Sequence, residues 1–265
     1  MMSTISNKTA LITGASSGIG AVYADRLAAR GHDLVLVARR ADRLDAIAAQ
    51  IRARHGVQVE TLVADLASDA GQASVEQLLM NRPVAILVNN AGIARLAPIN
   101  PAGLADSMAQ IALNVTALTR LTHAVLPGMK QRNEGTIINI ASVMALSTMP
   151  MGSVYSATKA YVLALSRTLQ QELAGSAVKV QVVLPAATAT EVWDNSGVPL
   201  SAMAPESVMT TDHLVDAALR GLDLGESVTW PSVADTALIE RVEADRIALF
   251  KSAQTGQVAP RLAAK

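Results

Sequence analysis

A chain of 265 residues, 51% hydrophobic and without cysteine, can bury a core of its own; the missing cysteines exclude disulfides, thiolate nucleophiles and cysteine-ligated zinc. Its 22 basic and 22 acidic residues cancel, which removes the electrostatic argument for nucleic acid or an anionic membrane as a partner. The start, M-M-S-T-I-S-N-K, lacks the pattern of a signal peptide, and no apolar run approaches the roughly 18 residues of a membrane span, so a cytoplasmic protein is expected. His32, His55, His123 and His213 are scattered without ligand spacing, so no metal site is expected.

Residues 9–13 read as a first strand ending in T-G-A-S-S-G-I-G, and a helix period follows over 19–30. Gly14, Gly18 and Gly20 thus lie between a strand and a helix. There the lack of a Cβ lets the backbone turn tightly and approach a pyrophosphate facing the helix N-terminus. The second strand, 33–38, runs into Arg39. A carboxylate at that point would hold the ribose of NAD, whereas an arginine accommodates the extra phosphate of NADP. No carboxylate competes before Asp42, so NADP(H) is the expected cofactor and Arg39 its phosphate contact. The competing reading makes Arg39, Arg40 and Arg43 a solvated patch at a helix start.

Helix-period stretches continue at 42–54, 71–80, 104–129, 153–173 and 212–222, interleaved with strand-like runs at 57–63, 84–88, 136–140, 178–184 and 228–230. The runs are short, β-branched and largely apolar, as strands buried on both faces are. Gly31 and Gly56 fit helix C-terminal stops. Repeated alternation implies an α/β fold: one Rossmann-type doubly wound parallel sheet of about seven strands, with helices on both faces. A single domain is expected over 1–265, with a substrate loop at about 186–210 and a C-terminal extension at about 232–265. The loop lacks periodicity and starts at the carboxyl end of a strand, where ligands bind in such sheets.

The chemistry concentrates at Y-S-A-T-K, residues 155–159. Tyr155 and Lys159 share one helix face at i and i+4. A neighbouring ammonium favours phenolate and lowers a tyrosine's pKa, making Tyr155 a candidate general acid and base. Ser142, thirteen residues earlier, fits either a turn after the fifth strand or a second hydroxyl donor. Asp65 fits a helix N-cap or a ligand contact.

T-G-A-S-S-G-I-G at 13–20, D-L at 65–66, N-N-A-G at 89–92, N-V at 114–115, Ser142 and Y-S-A-T-K occur in one order along the chain. In this the sequence resembles the short-chain dehydrogenase/reductases from about Lys8 to about Pro231. The resemblance implies an oxidoreductase. Tyr155 would donate the proton to a substrate carbonyl, Lys159 would hold the nicotinamide ribose and depress the Tyr155 pKa, Ser142 would bind the carbonyl oxygen, and Asn114 would interrupt its helix and hold a relay water. It implies cofactor contacts at Gly14, Ser16, Ser17, Gly18, Ile19, Gly20, Arg39, Asp65, Leu66, Asn90, Ala91, Gly92, Tyr155, Lys159, Pro185, Thr188 and Thr190, with Thr190 at the more usual spacing for the carboxamide. One departure is Pro185-Ala186, where the family often has Pro-Gly, so the loop on the nicotinamide side is expected to run differently.

By the same resemblance, Ala94, Met144, Met149, Met151, Val192, Trp193 and Met203 lie near the substrate, with Ser142, Met144, Tyr155 and Trp193 as contacts. Methionines suit an adaptable apolar site. The expectation is NADPH-dependent reduction of a ketone or aldehyde, with 3-oxoacyl thioester reduction as the alternative within the same chemistry and a non-catalytic NADP-sensing protein as the alternative outside it. The family also implies a homo-oligomer, a tetramer or dimer, through the long helices at about 104–129 and 153–173.

Overall fold

The computed structural model describes residues 8–100 and 103–263. Within them, seven strands form one parallel sheet in the order β3-β2-β1-β4-β5-β6-β7. The strands are β1 (Thr9–Thr13), β2 (Asp33–Ala38), β3 (Val59–Val63), β4 (Ile86–Asn89), β5 (Gly135–Ile140), β6 (Val178–Val183) and β7 (Val228–Thr229). The helices are α1 (Gly18–Ala29), α2 (Ala41–His55), α3 (Asp69–Asn81), α4 (Leu104–Ile111), α5 (Leu118–Arg132), α6 (Ser153–Glu172), α7 (Thr211–Asp223) and α8 (Thr236–Ser252). The chain divides after Pro231 into two compact units, so α8 belongs to the second.

The sheet is buried on both faces because its side chains alternate. Ala10, Ile12, Leu34, Leu36, Val88 and Ile138 join residues of α1, α2 and α7 in one core. Leu11, Val35, Val37, Leu87 and Ile137 join residues of α3, α5 and α6 in the other. Each fully buried leucine or isoleucine contributes about 1.5–3 kcal/mol relative to an exposed one. An aliphatic core is therefore sufficient in a chain with one phenylalanine. Gly56 ends α2 with φ of 70°, a left-handed cap that alanine would adopt only with strain.

β1 pairs with both β2 and β4. The strand order therefore reverses beside β1, and a crevice opens at the carboxyl ends of β1 and β4. Thr13 stitches this point: its hydroxyl donates to the Val88 carbonyl at 3.2 Å and accepts from the backbone N–H groups of Asn90 and Ala91, both at 3.0 Å. Asn90 returns the contact, its Nδ2 donating to the Thr13 carbonyl at 2.9 Å.

Candidate active site

The glycine loop leaves β1 at this crevice. Gly14 has φ of 67°, and a Cβ there would sit 2.8 Å from Asn90 Nδ2. Gly20 packs so closely on the first turn that a Cβ there would collide with the Gly14 carbonyl oxygen. Gly20 therefore shapes the loop from behind, while Gly14, Ser16, Ser17, Gly18 and Ile19 line the cleft. α3 and α7 are capped by the side chains of Ser68 and Thr210. Ser17 at the start of α1 makes no such cap, and the first turn carries no acidic residue. The N-terminus of α1 thus presents N–H groups and positive dipole potential to the cleft, which suits a phosphate.

The cleft measures about 530 Å³ and runs from this loop to Ser142, Tyr155 and Lys159. Arg39, Asp65, Leu66, Asn90, Ala91, Gly92, Met144, Pro185, Thr188, Thr190 and Trp193 also line it. Asp65 is not a helix cap. Its carboxylate accepts from the Ala67 N–H at 3.0 Å, and Ser68 caps α3 instead. Positive φ outside glycine is confined, among the described residues, to Asn133 and Met151, so Ala186 follows Pro185 in a conformation open to alanine. Of the apolar candidates, Ala94, Met149, Val192 and Met203 line the cleft and Met151 does not.

Arg39 is exposed, but Arg40 turns inward. Its Nη2 donates to Ser16 Oγ at 3.0 Å and Ser17 Oγ at 2.8 Å, and its Nη1 pairs with Glu191 at 2.7 Å. The sequence reading singled out Arg39 and missed the inward arginine. Adjacent guanidiniums after a strand are separable only through contacts remote in sequence. Arg95 is likewise engaged, donating to the Asn195 carbonyl at 2.8 Å with Asp106 at 3.6 Å, which binds the start of the 93–96 segment to the substrate loop.

At the other end, Ser142 Oγ accepts from the Met144 N–H at 3.1 Å and donates to the Pro185 carbonyl at 3.4 Å. Lys159 is buried, its Nζ donating to the Ile140 carbonyl at 2.9 Å and lying 5.7 Å from the Tyr155 ring centre. Asn114 lies in a π-helical turn, Ala112–Ala117, between α4 and α5, which interrupts the expected helix. Gly92 leaves room for it: a Cβ there would lie 3.2 Å from Asn114 Oδ1 and 3.6 Å from Lys159 Nζ.

The electrostatics correct one expectation. Burial raises the Tyr155 phenol above its ordinary value, and a hydrogen bond with Ser142 opposes it; the lysine does not decide the direction. Tyr155 retains some surface toward the cleft, so the enclosing protein, not full occlusion, raises it. Burial in turn lowers Lys159 to about 8. Burial favours the neutral form of both groups, but Lys159 still carries its proton at pH 7.

A model of the short chain dehydrogenase family matches residues 8–198. Among solved structures, the chain is similar to a short-chain dehydrogenase from Sphingobium yanoikuyae in complex with NADPH, at 47% identity and a TM-score of 0.91, covering 96% of this chain and 99% of that one. It is also similar to the bulky-bulky ketone specific alcohol dehydrogenase from Comamonas testosteroni, at 38% identity and a TM-score of 0.88, covering 97% and 99%. Curated relatives include the Homo sapiens 17-beta-hydroxysteroid dehydrogenase type 3, 38% identical over 183 residues, which are 68% of this chain and 59% of the relative. The Bos taurus very-long-chain 3-oxoacyl-CoA reductase is 34% identical, over 69% of this chain and 60% of its own. The chain thus spans about six-tenths of the length of these two curated relatives.

Proposed function

The chain belongs to the short-chain dehydrogenase family, and from that premise we propose that it reduces a ketone or aldehyde to the alcohol, reversibly, with NADPH. The observation that carries this reading is the convergence of Ser142, Tyr155 and Lys159 on one cleft whose far end is the uncapped α1 terminus. The similarity to an NADPH-bound dehydrogenase supports the choice of cofactor. The residues present fit a dinucleotide: Gly14 and Gly92 leave space that a side chain would fill, and the open N–H groups of α1 suit its phosphates. Gly14 to Ile19 would hold the pyrophosphate, Asp65 and Leu66 the adenine, Asn90 to Gly92 and Lys159 the ribose, and Pro185, Thr188 and Thr190 the nicotinamide side.

The bound nicotinamide supplies the hydride; positioning and proton delivery fall to the chain. Negative charge develops on the substrate oxygen as the carbonyl is reduced. The hydroxyls of Ser142 and Tyr155 donate to that oxygen and stabilise the charge. Tyr155 then gives up its proton, which burial keeps on the phenol at neutral pH. Lys159 stabilises the resulting phenolate and leads the proton path toward Asn114.

Ala94, Leu96, Met144, Met149, Val192, Trp193 and Met203 surround the reacting end, and Arg95 is held by the loop. An apolar carbonyl without an obligatory negative charge fits this lining. A 3-oxoacyl thioester is the second reading, favoured by the resemblance to very-long-chain 3-oxoacyl-CoA reductases. NADPH consumption against a panel of ketones, aldehydes, ketoacids and acyl thioesters tests both. Turnover of apolar ketones is expected; strict preference for thioesters selects the second reading, and consumption with none of them overturns both. Leu104, Met108 and Ile111 form an exposed apolar stripe at i, i+4 and i+7, which supports a homo-oligomer. Light scattering of the wild type and of Met108→Glu should show an oligomer that the variant weakens.

A further inference from the structure

Glu191 lies on the substrate loop, in a short 3₁₀ turn, Glu191–Asn195, that also carries Trp193. Its carboxylate reaches back to the start of α2. Oε2 accepts from Arg40 Nη1 at 2.7 Å, and Oε1 accepts from Arg43 Nη1 at 2.5 Å. The preceding residue, Thr190, lies against the glycine loop, its Cγ2 3.2 Å from where a Cβ on Gly18 would be. The loop therefore crosses the cleft mouth at two adjoining points. Arg40 spends its other donors on Ser16 and Ser17, so one guanidinium joins the substrate loop to the glycine loop.

We propose that Glu191 is a specificity-determining residue for the cofactor: a resident carboxylate that occupies Arg40 and Arg43 until the phosphate distinguishing NADPH from NADH displaces it. A carboxylate and a phosphate each offer two oxygens to the planar fork of a guanidinium. Arg39, Arg40 and Arg43 carry three positive charges, of which Glu191 cancels one. A dianionic phosphate gains more from the cluster than a single carboxylate can. The side chains of Arg40, Arg43 and Glu191 are each 40–45% exposed. Exposed pairs of this kind are weak, so the clasp can yield to a competing phosphate. Displacement frees the turn bearing Trp193, which couples cofactor choice to the mobility of the wall around the substrate. The proposal rests on the NADPH reading above.

Calorimetric binding of NADPH, NADH, 2′,5′-ADP and 5′-AMP to the wild type and to Glu191→Gln tests it without turnover. The variant should bind NADPH and 2′,5′-ADP about 3- to 10-fold more tightly, with NADH and 5′-AMP unchanged within about twofold. Glu206→Gln, on the same loop, controls for net charge and should change nothing. Hydrogen exchange across residues 186–198 should rise in the wild type on adding 2′,5′-ADP and start high in Glu191→Gln. Unchanged or weaker binding of the 2′-phosphorylated ligands in the variant overturns the proposal, as does an equal gain in the Glu206 control or a loop whose exchange 2′,5′-ADP leaves unaltered. Equal weakening of NADPH and NADH would make the clasp a strap over the bound cofactor and overturns it too. A wild type that binds neither NADPH nor 2′,5′-ADP overturns the cofactor reading itself.

Discussion

Asn114 grips Ile93 with both ends of its amide: Oδ1 accepts from the Ile93 N–H at 2.9 Å, and Nδ2 donates to the Ile93 carbonyl at 2.9 Å. The same Nδ2 lies 3.1 Å from Thr158 Oγ1, beside Lys159 on α6. One buried side chain thus joins the segment after β4, the π-helical turn and the catalytic helix. Asn114→Ala leaves the half-buried Ile93 N–H and carbonyl without these partners, and each such lost hydrogen bond costs about 0.5–1.5 kcal/mol. The variant should lose roughly that much stability in urea unfolding together with most of its turnover. A fully stable but inactive variant would assign Asn114 to the proton path alone. A stable and active one would remove it from the site.

Tyr155→Phe removes the hydroxyl and keeps the ring. Loss of a positioned general acid costs about 10²–10⁴-fold in rate, so turnover should fall by that factor while NADPH affinity changes only a few fold. Because burial raises Tyr155, carbonyl reduction by the wild type should be flat through neutral pH and decline only in alkali, where the phenol ionises. Alcohol oxidation should rise with pH over the same range. Stopped-flow rates in both directions check this, and near-normal activity of the variant would refute the assignment.

Lys159 makes a prediction about stability that runs against its role in catalysis. Burial lowers it to about 8, whereas an unfolded lysine titrates near 10.4. Below about pH 8 both states carry the proton, and the fold bears the full cost of burying the charge. Between about pH 8 and 10 the folded lysine is neutral while the unfolded one stays charged, so the folded state binds fewer protons and stability rises with pH. Lys159→Met should therefore be more stable than the wild type at pH 7, by roughly 1–2 kcal/mol once the lost bond to the Ile140 carbonyl is deducted. That advantage should vanish by about pH 10, and turnover should be lost at every pH. Urea midpoints at the two pH values decide it: a variant less stable at pH 7 would mean that the Ile140 bond outweighs burial.

Those parts of the fold and site set by local chemistry were readable in the chain. The seven strands follow from short β-branched runs, and the glycine loop from its place between a strand and a helix. Ser142, Tyr155 and Lys159 converge as their spacing and the family likeness implied. What escaped depends on contacts remote in sequence. The break in the helix at Asn114 was implied by the family likeness and is present as the π-helical turn, but its partner Ile93, 21 residues away, was not foreseen. The direction of the Tyr155 shift depends on how deeply the fold encloses it, which i,i+4 spacing does not encode. The helix at Thr236–Ser252 lies in a segment read only as an extension with apolar residues, because its polar and apolar positions follow no single clear stripe. Glu191 was one loop carboxylate among several until the fold brought it to Arg40, 151 positions earlier.

The two adjacent arginines should separate in their effects on the cofactor. Arg39 is exposed on the cleft wall and is not part of the Ser16–Ser17–Glu191 cluster. Arg39→Ala should weaken NADPH far more than NADH, because only the phosphate needs its charge; losing a charge-assisted pair there costs about tenfold. Arg40 also ties the glycine loop to the substrate loop through Ser16, Ser17 and Glu191. Arg40→Ala should therefore weaken NADPH by at least as much and also loosen the glycine loop, through the lost bonds to Ser16 and Ser17, giving a smaller but measurable loss of NADH binding. Arg40→Lys restores the charge without the fork that reaches both serines, so it should recover part of the NADPH affinity and little of the loop order. Titrations of both cofactors against the three variants resolve this. If Arg39→Ala weakens NADPH and NADH equally, the phosphate does not lie beside Arg39; if Arg40→Ala spares both, the inward arginine is a structural tie alone.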